Sequence, residues 1–128
     1  MSVDAMVLDG PFDGLIHQQL LGREVGSRDA SLWLHHMTRV LTVPPHYHER
    51  EETVVVLQGQ LSIAVGQSVD QLTEGEDPMV GGTTVEVGPD ATIQIPSRTV
   101  HGYVISGLPA RVLIFLPEPD AITLFPDG

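Results

Sequence analysis

His46 and His48 stand two residues apart in the segment Pro44-Pro45-His46-Tyr47-His48-Glu49-Arg50-Glu51-Glu52. On an extended strand, residues i and i+2 project to the same face, so this pair offers two imidazoles to one point. Glu52 follows His48 by four residues, close enough to curl back onto the same point. Glu49 and Glu51 are competing carboxylates, which with Arg50 read as a solvated charged patch. His101 lies in a separate apolar run beyond the turn Pro96-Ser97-Arg98, where a neighbouring strand would deliver a fourth ligand. Three neutral imidazoles and one carboxylate suit a divalent ion such as Fe, Mn, Ni, Co, Cu or Zn. A six-coordinate ion held by His46, His48, Glu52 and His101 would keep two positions for water or substrate, as catalytic sites do.

Composition narrows the chemistry further. The 128-residue chain carries a formal net charge of −11, with six Lys plus Arg, all arginine. A nucleic-acid binder needs a basic face, and anionic lipid attracts basic segments; neither is expected here. There is no cysteine, which excludes disulfides, thiolate ligands and thiol nucleophiles. The absence of lysine excludes a side-chain Schiff base. No apolar run is long enough to span a bilayer as a helix. Met1-Ser2-Val3-Asp4-Ala5 lacks a signal-peptide pattern, so the cytoplasm is the expected location.

The surrounding elements read as short strands. Leu15–Leu21 forms a first strand after turn signals at Gly10-Pro11 and Asp13-Gly14, and Gly22–Ala30 reads as loop. The apolar run Ser31–Val43, with β-branched and aromatic residues and ending at Pro44-Pro45, favours strand over helix. Thr53–Leu57 and Leu61–Val65 flank Gln58-Gly59-Gln60 and read as a hairpin. Gly66–Gly82 is an acidic loop with a short strand near Val69–Leu72. Strands follow at Thr83–Val87, Ala91–Ile95, Val100–Ile105 and Ala110–Leu116, with a turn at Gly107-Leu108-Pro109. Pro117–Gly128 reads as an extended arm. Strands spaced by about 8–12 residues with Gly/Pro turns predict one all-β domain, a barrel or sandwich.

The segment His46-x-His48-x3-Glu52-x6-Gly59 resembles the first cupin motif from its first His onward, and Pro96-x4-His101 resembles the second. The two motifs and their interval span roughly residues 40–105. Arg98 stands where the second motif usually has Gly. The resemblance implies a double-stranded β-helix (jelly-roll) barrel filling residues 1–128, with a core of about 30–116 and terminal arms. It implies a metal inside one end of the barrel, selects Glu52 over Glu49 and Glu51, and suggests a homodimer. Similar small cupins include quercetin dioxygenase-like enzymes, isomerases, lyases and polyketide cyclases. On family grounds the expectation is a metal-dependent dioxygenase acting on an oxygen-bearing or aromatic small molecule. A redox-neutral cyclase, isomerase or lyase is the alternative, and a ligand-binding cupin without turnover is the rival from another class.

Other residues receive narrower roles. Glu52 is a candidate proton acceptor as well as a ligand. Arg98 is a candidate contact for an anionic substrate group, against a solvated turn residue. Tyr103 shares the face of His101 and is a candidate phenolic proton donor, against simple core packing. His35 and His36 face opposite sides of a strand, so one can line the barrel as a base or supporting donor, against a satisfied core or surface His. Tyr47 should face away from the ligands, and Trp33 and Met37 should pack in the core. His17 has no context that raises it. Ser97 with His101 lacks an oriented acid, so a serine hydrolase is disfavoured.

Overall fold

The computed structural model describes residues 6–9, 15–23, 26–120 and 122–126. Eight strands account for most of them: β1 Met6–Asp9, β2 Leu15–Leu21, β3 Ser31–Met37, β4 Thr42–His46, β5 Glu52–Ser68, β6 Thr83–Val87, β7 Thr92–Ile95 and β8 Thr99–Leu116. All pairings are antiparallel. No α-helix occurs among the described residues. The expected turns at Gly10-Pro11 and Asp13-Gly14 lie outside the described residues.

Two long bent strands organise the barrel. The first half of β5 pairs with the end of β8, from Thr53↔Phe115 to Gln58↔Arg111, and its second half pairs with the start of β8, from Leu61↔Ile105 to Ser68↔Thr99. The first half forms a layer β1-β2-β3-β8-β5-β7 and the second a layer β4-β8-β5-β6. Their inner faces bury one core, with Val54, Val56, Val112 and Ile114 from one layer and Leu61, Ile63, Tyr103 and Ile105 from the other. The strand pattern predicted the all-β class, and the arrangement is the jelly roll that the cupin resemblance implied.

The bend explains a misreading. Residues 53–57 and 61–65 do not form a hairpin; both pair with β8. Even-numbered residues of β5 point inward up to Val56 and odd-numbered ones from Leu61. β8 shows the reverse change, odd up to Ile105 and even from Ala110, so Gly107-Leu108-Pro109 is a corner within one strand. The inserted residues shift the inward phase and turn the ribbon from one layer to the other. Gly59 has φ +87°, and a Cβ there would lie 2.5 Å from the Gly107 carbonyl oxygen, so both conformation and space require glycine.

Three further differences are local. Ser31–Val43 is not one strand, because the chain leaves the sheet between Met37 and Thr42. Val69–Gln71 is a 3₁₀ turn rather than a strand, capped by the Ser68 hydroxyl accepting from the Asp70 N–H. At the other end β1 adds a strand that the sequence did not announce, paired with β2.

Candidate metal centre

The four expected ligands meet at one end of the barrel. His46 ends β4 and faces His101 of β8 across the sheet, while His48 follows in the loop leading to β5 and Glu52 opens β5. The side chains of both layers therefore converge. All four are buried, with His101 1% and Glu52 4% exposed. One ring nitrogen from each of His46, His48 and His101 lies within 4.8 Å of the others. Glu52 reaches two of these rings, with Oε2 3.1 Å from His48 Nε2 and Oε1 3.1 Å from His101 Nε2.

The other ring nitrogens are already engaged. Nδ1 of His46 lies 2.8 Å from the Pro44 carbonyl, Nδ1 of His48 2.9 Å from the Ile122 carbonyl, and Nδ1 of His101 2.9 Å from the Thr99 carbonyl. A carbonyl only accepts, so each Nδ1 must carry a proton and donate it. In the neutral ring that leaves the lone pair on Nε2, which is how supporting carbonyls fix metal-binding tautomers. His101 Nε2 is sealed from solvent and has no hydrogen bond of acceptable geometry, although the Glu52 oxygen is near. An imidazole lone pair beside a carboxylate, with neither partner able to donate, fits a cation placed between them.

The electrostatics agree. Burial, then the neighbouring His101 ring, lowers His46 to about 4, so this ring is neutral near pH 7. Burial would raise Glu52, but the adjacent His101 and His48 rings outweigh it and hold the carboxylate well below its ordinary range. Burial would likewise lower His48, yet Glu52, the Ile122 carbonyl and Glu118 hold it above the usual imidazole value. A proton on His48 Nε2 and a divalent ion would compete for the same place beside Glu52.

The remaining expectations divide. Tyr103 is buried in the core on the face of His101; burial, then the Glu52 charge, raises its phenol, which stays protonated near neutral pH. Arg98, the candidate contact for an anionic substrate group, sits in surface ion pairs. Its Nη1 donates to both Glu49 oxygens at 2.8 and 2.9 Å, its Nε donates to Asp70 Oδ1 at 2.9 Å, and it lies over the Tyr47 ring. Its backbone N–H donates to the His48 carbonyl and its own carbonyl accepts from Val69 N–H. Arg98 therefore ties together the segments that carry Glu49, Asp70 and its own turn. Glu49 is occupied by Arg98 and Glu51 is exposed, which leaves Glu52 as the converging carboxylate. Ser97 is exposed, and His101 Nδ1 serves Thr99 rather than a hydroxyl nucleophile.

Two contributors were not foreseen. The terminal arm returns to the site: Tyr47 and Leu124 exchange backbone hydrogen bonds at 2.9 and 3.0 Å, which sets the Ile122 carbonyl on His48. Nothing in Ile122-Thr123-Leu124 marks this, because the contact is made by backbone. His17 faces inward opposite His35; the phase of Leu15–Leu21, with His17 and Gln19 on one face, was the available signal.

No family model matches the chain, and comparison with curated proteins finds no match. Solved structures do match. The polyketide cyclase RemF from Streptomyces resistomycificus is 26% identical, with 95% of this chain and 81% of that one covered and a TM-score of 0.67. KdgF from Halomonas sp. is 20% identical, covering 92% and 93%, with a TM-score of 0.64. A cupin superfamily protein from Desulfitobacterium hafniense is 13% identical, covering 87% and 84%, with a TM-score of 0.62.

Proposed function

This chain is a cupin by fold, and we infer that it is a metal-dependent enzyme acting on a small oxygen-bearing organic molecule without net redox change. One observation carries the reading: three carbonyls commit the three Nδ1 atoms, which leaves three Nε2 lone pairs converging beside the Glu52 carboxylate. The redox-neutral class, a cyclisation or related carbon–carbon or elimination step, takes precedence over oxygenation because of the similarity to a polyketide cyclase over 95% of the chain. Oxygenation, the first expectation from the sequence, draws no comparable support.

His46, His48, His101 and Glu52 would hold the ion. A bound divalent ion would polarise a substrate carbonyl or enol oxygen. The chain's own groups set the rest. Glu52 lies 3.1 Å from Nε2 of both His48 and His101, where it would share the ion with them and stays the candidate proton acceptor beside it. Tyr103 keeps its proton and can donate it to a developing oxyanion. The buried surroundings exclude bulk water and strengthen both effects.

The test uses protein purified without chelator or affinity metal. Elemental analysis should give close to one transition-metal ion per chain, and His46→Ala should lose it. Oxygen consumption is then followed with quercetin and with 2,4-pentanedione. The redox-neutral reading expects none; uptake that a chelator abolishes would replace it with the dioxygenase. Absence of metal from the native protein and after reconstitution would leave a ligand-binding cupin. A homodimer of this single domain belongs to the same reading.

A further inference from the structure

His46, His48, Glu52 and His101 are all buried, so an ion reaches them only when a covering segment moves, and a metal site needs an entry path. Two segments lie against His48. One is its own loop, and Arg98 fastens it: the Arg98 N–H donates to the His48 carbonyl and Nη1 donates to both Glu49 oxygens. The other is the terminal arm, whose Ile122 carbonyl accepts from His48 Nδ1 at 2.9 Å.

The arm has a fixed base and a lightly held end. At the base the Arg23 N–H donates to the Pro119 carbonyl at 3.2 Å, and Arg23 Nε donates to Asp120 Oδ2 at 2.7 Å. Residues 122–126 attach through main-chain groups. The Leu124 N–H donates to the Tyr47 carbonyl, the Tyr47 N–H donates to the Leu124 carbonyl, and the Ile122 carbonyl meets the His48 ring. Their side chains anchor them little, because Ile122 and Phe125 are 60% and 48% exposed. A segment with few buried apolar contacts opens locally, far more often than the whole fold unfolds.

Opening of the arm and loading of the centre act on the same ring. His48 has Nδ1 on the arm and Nε2 beside Glu52. Positive charge at Nε2 makes the Nδ1 proton a stronger donor. A carbonyl on Nδ1 in turn makes Nε2 a better ligand, and such partners are worth roughly 10–100-fold in metal affinity. Linkage requires the two factors to be equal. The docked arm is therefore favoured in the loaded protein over the empty one by that same factor.

We propose that residues 122–126 are a strap whose docking is coupled to metal occupancy: it opens more often when the centre is empty, admitting the ion, and closes on His48 when the centre is loaded. The inference rests on reading the four side chains as a metal centre, and it gives that centre a gate. The Ile122 carbonyl is the positioning group, and Leu124 is the latch that holds it there. The base held by Arg23 stays in place throughout.

Amide hydrogen exchange on the full chain tests this, in protein stripped with chelator and in the same protein loaded with zinc, with zinc content measured by elemental analysis. The Leu124 N–H reports the strap. The Asp90 N–H, which donates to the Val56 carbonyl at 2.9 Å, is the reference. Zinc should slow exchange at Leu124 by roughly 10–100-fold and leave Asp90 unchanged. Leu124→Pro deletes the latching N–H, so this variant, its fold checked by far-ultraviolet circular dichroism, should bind zinc about tenfold more weakly in competition with a chromophoric chelator. Zinc bound at one per chain with no change at Leu124 would overturn the strap and leave the metal centre standing. Equal slowing of Leu124 and Asp90 would do the same, since it marks stabilisation of the whole fold. Wild-type zinc affinity in folded Leu124→Pro would also overturn the coupling. A wild-type chain that takes up no zinc would remove both the strap and the metal centre.

Discussion

At the level of single residues, each imidazole of the candidate centre is held by its far nitrogen. Removing a supporting hydrogen bond typically costs 10–100-fold in metal affinity, so removing a ligand should cost more than roughly 100-fold. We therefore expect His101→Ala and Glu52→Gln to lose stoichiometric metal in elemental analysis while the barrel still melts cooperatively. Arg98→Ala, which breaks only surface ion pairs, should keep its metal and leave substrate KM unchanged. Acid should destabilise the protein through its buried histidines. Burial holds His35 near about 4, and burial with His101 does the same for His46, below the 6.5 of an unperturbed ring. The unfolded chain therefore binds more protons between these values. The stability the two rings lend is complete above pH 6.5 and drains as pH falls toward 4. His48, raised, acts in the opposite sense: its contribution is present below 6.5 and lost as pH rises through its own value. Melting temperatures taken in chelator from pH 7.5 to 4.5 should fall, and should fall less in His35→Phe.

At the level of elements, two features keep the ligands together. The corner at Gly59 lets one strand serve both layers, so that Glu52 and the histidines can meet. Gly59→Ala combines a positive φ with a backbone clash and should destabilise the fold by about 2–3 kcal/mol, read as a lower midpoint in urea with unchanged slope. The terminal arm is the second feature. It is anchored by the Arg23–Asp120 ion pair at one end and the Tyr47–Leu124 bridge at the other, and between them the Ile122 carbonyl orients His48. A chain ending at Pro117 should fold, because β8 is complete by Leu116. Its metal affinity, measured by competition with a chromophoric chelator, should drop 10–100-fold. Wild-type affinity would show that His48 needs no such support.

At the level of the whole molecule, the outer face of the β2-β3-β8-β5 layer is unusually apolar. Ile16 and Phe115 are 42% and 39% exposed there, with Leu32, Leu34, Val55 and Leu113 half-buried beside them. A continuous apolar face of this kind marks an interaction surface, and the homodimer proposed above would cover it. Light scattering at micromolar concentration should give twice the chain mass, and Phe115→Glu should halve it; a monomeric wild-type chain removes the dimer. The formal net charge of −11 disfavours a nucleic-acid role. Among the described residues no helix is long and apolar enough to cross a membrane.

The candidate ligand group was legible because it is written locally: His46, His48 and Glu52 sit within seven consecutive residues, although His48 lies just past the end of β4 rather than within it. The β class was legible for the same reason, through alternation and Gly/Pro spacing. What lay beyond reach depends on partners distant in the chain. Alternation on either side of Gly59 suits a hairpin and a corner equally, and only pairing with β8 decides between them. Arg98 turned outward because Glu49 and Asp70, 49 and 28 residues away, wait for it at the surface. The Ile122 carbonyl reaches His48 across 74 residues, and a backbone carbonyl is present at every residue whatever its side chain. His17, Gln19, Trp33 and His35 came to share one inner face only when β2 and β3 paired in register, since no residue's own chemistry encodes which strand will lie beside it.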